Sequence, residues 1–117
     1  MRIERAMPGA GKGWCVGPWN SDLPISVGYT NGGIDDPHAR RRMTELHKVA
    51  RGTSELRVGQ ETIALYPGAV TAIEPAEARA FLSYSPDYFL SSAHVPGLSG
   101  PEARLDKVNV PCSLLGL

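Results

Sequence analysis

The sequence predicts an all-β domain, a sandwich or a barrel, on three observations. Thirteen glycines and ten prolines make up about a fifth of the 117 residues and are spread along the chain, which suits many short strands joined by turns. Between them lie runs rich in β-branched and aromatic residues, about seven to nine of them, recurring every 8–12 residues or so. In the middle of the chain, "MTELHKV" puts Met43, Glu45, His47 and Val49 on one face at period two.

Taken in order, residues 1–13 are expected to be a flexible lead-in and residues 14–117 a single domain. "GAGKG" at 9–13 lacks the Gly-Lys-Ser/Thr ending of a phosphate loop and no strand precedes it, so it belongs to the lead-in. "WCVGPW" is a short strand closed by Gly17-Pro18. "ISVGYT" is a second, ended by the turn "NGG" at 31–33. "IDDP" is a loop. "HARRRMTELHKVA" contains good helix formers, but its short-strand neighbours and period-two face favour a strand reading up to the turn "RGTS". "SELRVG" and "ETIALYPG" form a hairpin turning at Gly59-Gln60. "AVTAIEP", "RAFLSYS" and "FLSSAHV" are further strands. Pro101 sits at a first helical position after Ser99-Gly100, so "PEARLDKV" carries a turn or two of helix. The apolar tail "PCSLLGL" is expected to pack on the barrel or across a subunit boundary.

Composition excludes several function classes. Twelve basic and twelve acidic residues cancel, so no global field draws nucleic acid or anionic membrane. No run approaches the roughly 20 apolar residues of a membrane span. "MRIERAMPGAGKGW" lacks the apolar core of a signal peptide, which points to a cytoplasmic protein. Cys15 and Cys112 lie far apart without a Cys-x-x-Cys partner, and are expected to be buried or partly buried free thiols.

The segment "PHARRRMTELHKVARG" is the most informative. His38, position 40, Glu45 and Gly52 stand in the order of the first cupin motif, where two histidines two apart precede a glutamate and then a glycine. "YPGAVTAIEPAEARAF" resembles the second motif, with a Pro67-Gly68 turn and Arg79 at the place of the final histidine. The resemblance covers roughly residues 25–95. It implies a double-stranded β-helix, the jelly-roll barrel of the cupins with a short C-terminal helix here, and commonly a homodimer.

Cupins usually bind a divalent metal through three histidines and one glutamate. Here Arg40 and Arg79 replace two ligands. Guanidinium has no lone pair to coordinate with and would place positive charge at the cation's position. The resemblance therefore implies no metal and no other cofactor, unless His38, Glu45, His47 and His94 form an unorthodox set. It also implies that His38, Arg40, Glu45, His47 and Arg79 share one cavity, walled by Tyr29, Tyr66, Phe81, Tyr84 and Phe89.

Two functional readings follow. In the first, Arg40 and Arg79 hold an oxyanion while Glu45, tuned upward by burial, and His47 move protons with help from His38. Tyr29, Tyr66 and Phe81 line the ligand. That is a metal-independent isomerase, cyclase or lyase for a carbonyl- or carboxylate-bearing metabolite. In the second, the same cavity binds a sugar or metabolite without turnover. The bland alternative is that Arg40 and Glu45 form an inert ion pair filling the metal's place. Arg41 and Arg42 read as a solvated rim.

Overall fold

A computed structural model describes residues 11–32 and 36–117. Ten strands run in chain order: β1 (Lys12–Val16), β2 (Ser26–Thr30), β3 (His38–Arg40), β4 (Thr44–Arg51), β5 (Ser54–Val58), β6 (Glu61–Leu65), β7 (Val70–Ile73), β8 (Arg79–Tyr84), β9 (Phe89–Val95) and β10 (Lys107–Asn109). They form two five-stranded antiparallel sheets, one ordered β1-β2-β9-β4-β7 and the other β10-β3-β8-β5-β6. Strands consecutive in sequence often lie in different sheets, as in a jelly roll. No helix among the described residues is long and apolar enough to cross a membrane.

Alternation along β4 and β9 defines the interior. In β4, Glu45, His47 and Val49 are buried while Leu46 and Lys48 face outward. In β9, Leu90 and His94 are buried, with Ser92 between them. Val49, Leu56, Leu65, Ile73, Tyr88 and Leu90 form the apolar core, so the polar residues occupy the remainder of the barrel.

The lead-in differs from expectation at its end. β1 opens at Lys12, two residues before the expected domain boundary, and residues 1–10 lie outside the described residues. The turn "NGG" and the loop "IDDP" likewise include positions 33–35, outside the description.

Residues 38–50 are strand rather than helix, as expected, and are divided between two strands. β3 belongs to one sheet and β4 to the other, and Arg41–Met43 turn the corner between them. The cause lies far along the chain in α1 (Gly100–Asp106), whose N-terminus carries a Ser99–Glu102 capping box and Pro101 in its first turn. Asp106, buried at the end of α1, accepts from the backbone N–H of Arg42 (2.9 Å) and Met43 (3.3 Å) through its carboxylate, and from Arg41 N–H (3.0 Å) through its carbonyl. Those donors would otherwise be unpaired where the chain leaves one ladder for the next. Asp106→Ala strands two of them, and is expected to lower the unfolding free energy by about 2 kcal/mol in urea titrations. A change under about 0.5 kcal/mol would show that the corner holds itself.

The C-terminal tail packs on the barrel. A 3₁₀ turn (Cys112–Leu115) buries Leu115, and the carbonyls of Leu115 and Leu114 accept from Arg57 Nε (2.8 Å) and Gln60 Nε2 (3.1 Å). Both cysteines are free thiols. Cys15 is partly buried as expected, but Cys112 is exposed because the tail turns its apolar face inward through Leu115.

Candidate functional site

A cavity of about 340 Å³ opens between the sheets. β3 and β8 supply His38, Arg40, Arg79 and Phe81. β4 and β9 supply Glu45, His47, Leu90, Ser92 and His94. Pairing explains the convergence: Glu45 lies opposite His94, His47 opposite Ser92, and His38 opposite Arg79. Residues directly opposite in an antiparallel pair share a face.

Glu45 is the hub. Its Oε1 accepts from Arg40 Nε at 2.9 Å and pairs with Arg79 Nη2, also at 2.9 Å. His47 Nε2 stands 3.4 Å from Oε2, and His94 Nε2 stands 3.8 Å from Oε1. Burial pushes the Glu45 carboxyl up, but the His47 hydrogen bond and the positive charge around it prevail and hold it well below the usual carboxylate range. The upward tuning expected of Glu45 is thus reversed, because the His47 hydrogen bond and the charges of Arg79 and the neighbouring histidines outweigh desolvation. A carboxylate held in this way is a poor proton acceptor and a good anchor.

The arginines are positioned differently. Arg40 also donates through Nη1 to the Ala103 carbonyl (2.8 Å), so α1 fixes its guanidinium from behind. Arg79 is 1% exposed, the largest fully buried side chain, and Nη1 donates to the Glu77 carbonyl (2.9 Å). Its Nη2 is near enough to Glu45 for charge pairing but misaligned for a hydrogen bond. Nη2 and Nε therefore have no hydrogen-bond partner among the described residues. Buried donors without partners are rare and mark a place for water or a ligand.

The histidines have distinct settings. His38 Nδ1 lies 2.8 Å from the Asp36 carbonyl, so Nδ1 carries the proton of the neutral ring. His47 packs on Phe81, ring centroids 5.7 Å apart, and its Nδ1 is enclosed without a partner among the described residues. His94 lies under Trp14, centroids 4.4 Å apart. Burial, joined by the charges of Arg40, His47 and Arg79, lowers its pKa to about 4 against the pull of Glu45. Gly28 makes the Trp14 contact possible: a Cβ there would collide with the Gly13 carbonyl and the indole.

The aromatic walls need two corrections. Tyr66 is 60% exposed and lies outside the cavity, because it follows β6 at an outer edge. Tyr29 borders the cavity, yet it pairs with Ser91 and its ring stacks on Phe89 at 5.8 Å. That is the face of β9 opposite Leu90 and His94, so Phe89 does not line the cavity, whereas Tyr29 does. Phe81 and Tyr84 do line the cavity. Sequence reasoning missed Trp14, Ser92, Lys12 and Lys107 as lining residues; pairing of the edge strands, which no local pattern reports, brings them in.

The residues do not fit the metal that cupins usually hold. Arg40 and Arg79 converge on the very oxygen of Glu45 that a cation would need. Among the described residues no group of three or more His, Cys, Asp or Glu is arranged to hold a metal ion.

No family model and no curated protein matches the sequence. Solved structures do. The Streptomyces protein Pac13, a nucleoside dehydratase, is 11% identical with a TM-score of 0.67 over 86% of this chain and 78% of its own. KdgF from Halomonas sp. is 17% identical with a TM-score of 0.66, covering 82% and 86%. A protein from Planctomyces limnophilus is 13% identical with a TM-score of 0.69, covering 92% and 96%. These likenesses establish the fold: the chain is a cupin-type double-stranded β-helix.

Proposed function

We propose that this is a metal-independent small-molecule enzyme of the isomerase, cyclase or lyase type, acting on a metabolite that bears a carboxylate or a carbonyl. The observation that carries the reading is the convergence of Arg40 and Arg79 on one cavity that, among the described residues, is lined by more cations than anions. A planar guanidinium with parallel donors suits a carboxylate or an enolate oxygen. Arg40, held by Glu45 and α1, closes on the same group.

Charge held on that oxygen acidifies the adjacent C–H. His47 is the proton carrier, and Glu45, 3.4 Å from its Nε2, stabilises the imidazolium that forms. His38, with Nδ1 donating to Asp36, keeps its basic nitrogen at Nε2 and assists. Glu45 orients and does not itself carry the proton. Pac13, which shares the fold, is described as a nucleoside dehydratase, so a small-molecule lyase on this fold has a precedent.

The test is proton exchange in D₂O, followed by NMR across a panel of 2-keto and 3-hydroxy acids. Deuterium is expected to enter beside the acid or carbonyl group of at least one compound. His47→Gln should slow that entry at least about a hundredfold while the compound still binds, and Arg79→Met should abolish binding. Binding with no exchange in the wild-type protein would instead favour a non-catalytic metabolite-binding barrel.

A further inference from the structure

Charge in the cavity is strongly unbalanced, although the chain as a whole is neutral. Lys12, Arg40, Arg79 and Lys107 line it, and Glu45 is the one acidic lining residue among those described. Glu45 answers the guanidiniums alone. The lysines take part in no ion pair among the described residues.

Their placement follows from register. Lys12 lies opposite Thr30, and Thr30 lies opposite Leu90, an inward residue of β9. Lys107 lies opposite Arg40. Both lysines therefore stand on the cavity side of their strands, and those strands, β1 and β10, are the edges of the two sheets. One exposed ammonium is carried by each lip, while the guanidiniums lie deeper.

We infer that the ligand is a small dianion with two separated acidic groups, one on Arg40 and Arg79 and the other between Lys12 and Lys107 at the mouth. The inference rests on the reading of the cavity as an oxyanion site and specifies its substrate class. A monoanion bound at the guanidiniums leaves both lip cations unanswered; a second acidic group answers them. A cavity of about 340 Å³ limits the ligand to a small metabolite. Edge-strand lysines also deter sheet-to-sheet pairing, but that role is indifferent to any ligand.

The test compares n-butyrate with succinate, glutarate and adipate by calorimetric or NMR titration of the full chain. One dicarboxylate should bind at least about tenfold more tightly than butyrate, because its second group engages at high effective concentration. In a Lys12→Met/Lys107→Met double variant that advantage should fall below about twofold. The lysines are exposed, and a circular dichroism melt confirms that the variant folds. Equal affinity for butyrate and every dicarboxylate, or an advantage that survives the double variant, overturns the inference. If butyrate binding is then lost in Arg79→Met, the oxyanion site itself stands. If neither class binds wild-type protein, the oxyanion reading and the dianion inference fall together.

Discussion

Glu45→Ala is expected to lower the unfolding free energy by about 3–5 kcal/mol, the largest effect of any single substitution at the site. The carboxylate neutralises two guanidiniums, of which Arg79 is wholly buried and Arg40 nearly so. Its removal leaves two like charges side by side in a region of low polarisability. For a domain of this size the melting temperature should fall by roughly 10–20 °C. Two controls separate scaffold from function. Glu45→Ala combined with Arg40→Met and Arg79→Met should recover much of the loss, since replacing a whole buried ion cluster costs less than breaking it. Added succinate should raise the melting temperature of Glu45→Ala more than that of wild type, because the ligand then supplies the missing charge. A loss under about 1 kcal/mol for Glu45→Ala would mean that solvent reaches the cluster freely and that the hub is ornamental. The pH dependence agrees in sign. Glu45 is held ionised below its ordinary range in the folded state, so its contribution is complete above about pH 4.5 and is lost as pH falls further.

Much of this site could be read from spacing. Glu45 and His47 two apart on a period-two strand belong to one face, and the cupin-like order of His38, Arg40, Glu45 and Arg79 placed them in one barrel. Three things escaped. The corner at Arg41–Met43 was invisible because its cause, Asp106, lies more than 60 residues downstream and acts on backbone N–H groups, which carry no side-chain signature. Phe89 and Tyr66 were assigned by residue type, whereas facing is set by strand register and edge position. Trp14 was read as plain strand, and its approach to His94 depends on the absence of a side chain at Gly28, one strand over. The ionisation of Glu45 failed for a related reason. Burial alone raises a carboxyl, and only the distances to His47, Arg79 and His94 decide that pairing overrides burial.

His94 makes the second large prediction. Its pKa is lowered from 6.5 to about 4 by burial and by its cationic neighbours, so the native state refuses a proton that the unfolded chain accepts. Between about pH 6.5 and 4 the unfolded state therefore binds more protons, and stability falls as pH falls. From pH 7 to pH 4 this one residue should remove about 3 kcal/mol. Urea unfolding at a series of pH values should show that slope in wild type and a shallower one in His94→Gln, where the group cannot titrate. An NMR midpoint for the His94 ring near 6.5 would contradict the account. Trp14→Ala supplies the physical control. The indole covers His94 at 4.4 Å, and its removal admits water to the imidazole. The His94 midpoint should then move back toward 6.5 although no charged neighbour has changed. If it stays near 4, Arg40, Arg79 and His47 hold His94 neutral by charge alone. The indole would then be free to serve as a wall for the ligand.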